Sequence, residues 1–182
     1  MSQTPLDRAL SLIADVPDYP KPGVLFKDIT PLLADGEGFT VVIDELARSI
    51  RALDHGIDAI VGIESRGFIL GGALASSLGI GFVTVRKPGK LPRDVYRKEY
   101  ALEYGFDALE LHKDLITPGD HVVIVDDVLA TGGTALACHD LVSQTGAITV
   151  AHLFMLEISF LEGRKVLLDQ HPEISIISLL QT

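Results

Sequence analysis

The stretch Val122-Val123-Ile124-Val125-Asp126-Asp127-Val128-Leu129-Ala130-Thr131-Gly132-Gly133-Thr134-Ala135 places the tightest limit on how this chain can fold. Four β-branched apolar residues, Val122 to Val125, read as a buried strand of a parallel sheet. Asp126 and Asp127 stand where that strand should end. A turn of small residues follows, and a helical pattern begins after it. Open α/β sheets bind ligands at the carboxyl ends of their strands. The N–H groups of Ala130 to Thr134 can ring a phosphate at the helix start, helped by the helix dipole. Gly132 and Gly133 remove side chains that would block the approach. Thr131 and Thr134 add hydroxyl donors, and the two acids can accept hydrogen bonds from the hydroxyls of a sugar. A helix cap beside a surface acid pair is the plainer alternative. The loop is not a Walker A motif, because no Gly-Lys-[Ser/Thr] follows the glycines, and no G-x-G-x-x-G fingerprint occurs.

A net charge of -10 should repel nucleic acid and anionic membrane. The 15 Lys and Arg residues are therefore informative wherever they cluster. No apolar run is long enough for a membrane span. The amino terminus has neither the basic nor the apolar region of a secretory signal. A lone cysteine, Cys138, cannot form an internal disulfide, so a cytoplasmic protein is expected. The 182 residues suit one domain with a sizeable core. The six histidines show no metal-ligand spacing with each other or with Cys138.

The element pattern fits that reading. Thr4 and Pro5 open a short helix. Asp15 to Pro31 holds four prolines and reads as an irregular segment. Phe39, Val42, Ile43, Leu46, Ile50 and Leu53 mark a helix. Strands are expected at Asp58–Ile63, Phe82–Arg86, Val122–Val125, Thr149–Leu156 and Ile174–Leu180. Helices are expected at Gly67–Leu78, Thr134–Gln144 and Phe160–Leu168. Alternation from Val95 to Leu111 reads as a hairpin with one wet face. The fold class is α/β, a mostly parallel twisted sheet with helices on both faces and an inserted hairpin flap.

Three further clusters carry chemistry. Gly62-Ile63-Glu64-Ser65-Arg66-Gly67-Phe68 lies at another strand end, where Ser65, Arg66 and local N–H groups can receive a diphosphate. A strand-to-helix turn with a surface arginine is the alternative. Arg86-Lys87-Pro88-Gly89-Lys90-Leu91-Pro92-Arg93 is basic against an acidic background, which suits either an anion funnel or a solvated edge loop. The hairpin carries Tyr96, Tyr100, Glu103 and Tyr104, and can be a lid that excludes water, an ordinary hairpin, or a dimer contact.

The acid pair with its Thr-Gly-Gly-Thr loop resembles the phosphoribosyl diphosphate signature of the type I phosphoribosyltransferases. With Tyr19–Pro31, Glu-Ser-Arg-Gly-Phe, Arg-Lys-Pro-Gly-Lys-Leu-Pro and Leu-Glu-Tyr-Gly, the likeness extends to the members that act on adenine, over roughly residues 18–163. The resemblance implies a single domain with a base-binding hood at 1–35 and a basic loop and flap at 87–112. It also implies transfer of the 5-phosphoribosyl group of phosphoribosyl diphosphate to N9 of adenine, giving AMP and diphosphate. Asp126, Asp127 and Ala130, Thr131, Gly132, Gly133 and Thr134 would hold the phosphoribosyl group. Ser65, Arg66, Arg86, Lys87 and Lys90 would hold the diphosphate, at a turn that often contains a non-proline cis peptide. Val24, Leu25, Phe26 and Lys27 would hold adenine, with Lys27 standing where arginine is common. Phe26, read without the family, is better explained as a core anchor. Glu103 would be the acid/base group and Tyr104 part of the flap. Mg²⁺ would be held mainly by substrate and water, with no direct protein cage. A homodimer is implied. A relative using another base, or a non-catalytic regulator of the same fold, remains an alternative; such regulators carry an added DNA-binding domain, of which no pattern is visible here.

Overall fold

The computed structural model describes residues 3–101 and 106–182. The chain falls into two compact units, residues 1–48 and 49–182.

In the first unit, α1 (Pro5–Leu10) opens with a reciprocal cap: Asp7 N–H donates to Thr4 Oγ1 and Thr4 N–H to Asp7 Oδ2, each at 3.1 Å. The segment expected to be irregular is instead largely ordered. β1 (Ala14–Pro17) and β2 (Leu25–Asp28) pair antiparallel from Ala14 opposite Asp28 to Pro17 opposite Leu25. The prolines fall where they do not interrupt the ladder. Pro17 ends β1, and Pro20 follows a cis peptide in the connecting turn. Pro31 sits in the first turn of α2 (Thr30–Ala34). The helix expected from Phe39 is α3 (Gly36–Arg51), which buries Val42, Ile43, Leu46 and Ala47.

The second unit is built on a parallel sheet of five strands, β3 (Ala59–Ile63), β4 (Gly81–Val85), β7 (His121–Leu129), β8 (Ile148–Glu157) and β9 (Ser175–Gln181). Their spatial order is β4-β3-β7-β8-β9. Strand alternation sorts its residues. Val61, Ile63, Val83, Val85, Val122 and Ile124 share one buried cluster with Ala137, Cys138, Leu141 and Val142 of α5 (Gly133–Gln144). Ile60 and Phe82 face α4 (Arg66–Leu78), where a Cβ on Gly71 would lie 2.7 Å from the Phe82 ring. Helices thus cover both faces. The chain leaves β3 through α4 toward β4, and leaves β7 through α5 in the opposite direction toward β8. The crevice between the carboxyl ends of β3 and β7 is therefore the switch point of the sheet. A short helix, α6 (Gly163–Gln170), links β8 to β9.

One expectation needs correction. β7 does not end at the acid pair. Its pairing with β3 stops at Val125, but β8 is ten residues long and continues to pair with β7 as far as Leu129. The hairpin, β5 (Val95–Ala101) with β6 (Phe106–His112), keeps its wet face on β5, where Arg97 and Glu99 are exposed, whereas Ala108 to His112 of β6 are all buried. Glu110 is accommodated there by a two-way backbone pair with Arg86 and by the Gly89 N–H, which donates to its carboxylate at 2.9 Å. Among the described residues no helix is long and apolar enough to cross a membrane.

Candidate active site

Both loops singled out in the sequence open into the crevice at the switch point. β3 ends at Ile63, and the Glu64–Ser65 peptide that follows is cis. Ser65 precedes α4, and Arg66 is its first residue. Across the crevice Asp126 and Asp127 belong to β7, and the turn Ala130–Gly132 leads into α5 at Gly133. Among the described residues no side chain caps either helix, so the first-turn amides remain for an anion.

The two loops approach closely because glycine permits it. A Cβ on Gly67 would lie 2.7 Å from the Val125 carbonyl oxygen and 3.1 Å from Asp126 Oδ1. Gly132 has φ +84°, and a Cβ there would meet the Gly163 carbonyl oxygen at 2.7 Å. Gly163, at the start of α6, is itself pressed against the Ala130 carbonyl and lies where a Cβ would be 2.9 Å from Gly132 N. Sequence reading missed this glycine, since nothing local distinguishes it from an ordinary helix start.

A cavity of about 390 Å³ brings together Ser65, Arg66, Lys87, Asp126, Asp127 and Thr134, with Glu64, Tyr100 and Asp107. Beside it, a cleft of about 80 Å³ is lined by Asp126, Ala130, Thr131, Gly132 and Thr134. Arg86 and Lys90 do not line the cavity; they reach it through Glu64. The Glu64 carboxylate, on a side chain 9% exposed, accepts from the Lys87 N–H at 2.9 Å, from Arg86 Nε at 3.3 Å and from Lys90 Nζ. Burial alone would raise its pKa, but the hydrogen bonds from Lys90, Lys87 and Arg86 together hold it below the usual value. No local pattern assigns Glu64 a role, because its partners Arg86, Lys87 and Lys90 lie far along the chain.

Every cation of the site has an acidic partner. Arg66 donates from Nε to Asp127, whose side chain is only 6% exposed. Lys87 Nζ lies 2.8 Å from Asp107 Oδ2, and the Tyr100 hydroxyl is 3.4 Å from the same oxygen. Asp107 raises the Lys87 pKa and Lys87 lowers that of Asp107. Asp126 is pushed well above the ordinary carboxylate range, first by burial and then by the charge of Asp127. Its Oδ1 accepts from the Asp127 N–H at 2.9 Å.

Val24, Leu25, Phe26 and Lys27 lie in the first unit, on and beside β2. Phe26 meets Tyr19 edge to face at 5.1 Å, and Lys27 Nζ pairs with Asp15 Oδ1 at 2.6 Å. Glu103 and Tyr104 lie outside the described residues.

Comparison with known proteins agrees with this geometry. The family model described as phosphoribosyl transferase domain matches residues 32–168. An adenine phosphoribosyltransferase of Synechococcus sp. (strain JA-3-3Ab) is 57% identical over 157 residues, 86% of this chain and 89% of that protein. The crystal structure of adenine phosphoribosyltransferase from Thermoanaerobacter pseudethanolicus has a TM-score of 0.91 at 46% identity, covering 97% of this chain and 99% of that one. The Saccharomyces cerevisiae adenine phosphoribosyltransferase, complexed with an imino-altritol bisphosphate and adenine, gives 0.89 at 38% identity, covering 97% and 98%. With the matched region spanning β3, β7 and both of their loops, the chain belongs to the phosphoribosyl transferase family.

Proposed function

We propose that this chain transfers the 5-phosphoribosyl group of phosphoribosyl diphosphate to N9 of adenine, giving AMP and diphosphate. The observation that carries the reading is the joining of two anion sites at one switch point. The cleft at Ala130–Thr134 adjoins Asp126, and the cavity with Ser65, Arg66, Lys87 and Asp127 shares Asp126 and Thr134 with it. That arrangement suits one ligand with a phosphate at one end, a sugar in the middle and a diphosphate at the other. The relatives named above support adenine as the base.

In this reading, amides of Ala130 to Thr134 and the Thr131 and Thr134 hydroxyls hold the 5′-phosphate. Asp126 and Asp127 hold the ribose hydroxyls. Ser65, Arg66 and Lys87 hold the diphosphate, with Arg86 and Lys90 set behind it by Glu64. These charges stabilise the departing diphosphate as the anomeric carbon acquires oxocarbenium character. Glu103 takes the N9 proton, and the flap with Tyr104 excludes water that would otherwise hydrolyse the sugar cation.

Mg²⁺ fits this donor set, since it takes one or two carboxylates and otherwise prefers phosphate oxygens and water. The Asp126 and Asp127 oxygens at the cavity would be its protein-side contacts. When bound, it neutralises diphosphate charge and orients the sugar.

Val24 to Lys27 read the base. Adenine offers a 6-amino donor and an unprotonated N1, and hypoxanthine reverses both, so backbone groups on this segment can separate them. Each mismatched buried group costs about 1–3 kcal/mol. Lys27 supplies a point charge in place of an arginine fork. A cytoplasmic homodimer completes the proposal.

The test is nucleotide formation from phosphoribosyl diphosphate, Mg²⁺ and each base, followed by absorbance. AMP from adenine, with hypoxanthine at least tenfold slower (about 1.4 kcal/mol), is expected. Equal rates with the two bases overturn the base assignment, and no nucleotide with any base overturns the reaction.

A further inference from the structure

We infer that Asp107 is an affinity-setting residue of the diphosphate site: a counter-anion built into the flap hairpin that occupies Lys87 in the free cavity and recaptures it as diphosphate leaves. The inference rests on the proposed function, which makes this cavity the diphosphate site.

Asp107 sits on β6 directly opposite Tyr100 of β5, one residue beyond the start of β6. Its Oδ2 takes the Lys87 ammonium at 2.8 Å and faces the Tyr100 hydroxyl at 3.4 Å; its Oδ1 accepts from its neighbour's N–H, Ala108, at 2.8 Å. Its side chain is 21% exposed against 53% for Lys87, so the ammonium is the member more open to an incoming anion. Both line the cavity with Arg66 and Thr134. Tyr100 and Thr134 line the same cavity, so the acid and the start of α5 face one space.

A diphosphate entering this cavity competes with Asp107 for one ammonium. While bound, it stands near a carboxylate that has lost its partner, and the repulsion favours departure. The other cations are held differently. Arg66 pairs with an acid of the sugar site, and Lys90 pairs with Glu64. Only Asp107 among these acids belongs to the hairpin, so a movement of the hairpin would change the diphosphate affinity directly. The depressed pKa of Asp107 keeps it charged at neutral pH, as this role requires.

The experiment is calorimetric titration of diphosphate with Mg²⁺ into the wild type, Asp107→Asn, Lys87→Gln and the double variant, with ribose 5-phosphate as a control ligand. Asp107→Asn should bind diphosphate about fivefold more tightly, the size expected of a half-exposed ion pair. Ribose 5-phosphate affinity should not change. In the Lys87→Gln background the Asp107→Asn gain should vanish, which a general change in cavity charge would not produce. In steady state, Asp107→Asn should show a lower inhibition constant for diphosphate. Unchanged or weaker diphosphate binding by Asp107→Asn, or a gain that survives loss of Lys87, overturns the inference alone. A wild type that binds ribose 5-phosphate but no diphosphate overturns the assignment of the cavity as well.

Discussion

His152 is fully buried, and its Nε2 lies 3.1 Å from Nδ1 of His139, whose ring stacks on His171 at 3.7 Å. The three come from β8, α5 and the end of α6, and their convergence was invisible as sequence spacing. Desolvation first, then the neighbouring imidazoles, lowers His152 to about 3 and His139 to about 4, with Asp140 only partly opposing the shift at His139. Both are therefore neutral in the folded chain while the unfolded chain titrates near 6.5. As pH falls below 6.5 the unfolded state binds protons that the folded state refuses, so stability is lost as the pH drops from about 6.5 toward 4. At pH 5 the loss is about 2 kcal/mol per group. Thermal unfolding should show a falling midpoint from pH 7 to pH 5, and His152→Leu should flatten that fall. An equally steep fall in the variant contradicts the account. A second residue, Glu103, is assigned its role by resemblance. Glu103→Gln should lower kcat by about 10²–10⁴, the usual range for a positioned base. Unchanged turnover in a standard rate assay removes it from the mechanism.

Among the elements, β7, α5 and α6 meet where the phosphate is expected. The start of α6 supports the loop from behind, with Gly163 packed on Ala130 and Gly132. Gly163→Ala has no room for its methyl and should push the loop out of position. Misplacement by about 1 Å can cost about 10²-fold, so KM for phosphoribosyl diphosphate should rise about tenfold or more while KM for adenine holds. Equal changes in both constants would point to general damage. The local strings Val122–Ala135 and Gly62–Phe68 were readable because strand, turn and helix start follow one another directly in sequence. The β1–β2 pair was not, because its prolines suggested disruption until their positions at a strand end, in a turn and in a first helical turn were known. The length of β7 was set by its neighbour β8, and no pattern within β7 itself could show that.

At the scale of the whole molecule, a chain with net charge -10 must draw in a polyanion. Its basic loop is less open than composition suggests, since Arg86 and Lys90 lean on Glu64, Lys87 on Asp107 and Arg93 on Asp114. Those pairings join residues about twenty positions apart and could not be read from charge counts. Capture of the substrate then depends on a modest local field that salt weakens. Raising ionic strength from about 0.05 to about 0.5 M, where the Debye length falls from above 10 Å toward 4 Å, should raise KM for phosphoribosyl diphosphate severalfold. KM for neutral adenine should stay constant in the same kinetic series. In the proposed reaction, twin acids and a ring of backbone amides jointly hold a phosphorylated pentose. Calorimetric titration of phosphoribosyl diphosphate with Mg²⁺ into the wild type and into Gly132→Asp tests it most directly. Saturable heat with one site per chain is expected in the wild type and none in the variant, whose side chain would collide with the Gly163 backbone behind the loop, push the amides out of position and add a like charge beside the phosphate. No heat in the wild type, or undiminished binding in the variant, would contradict it.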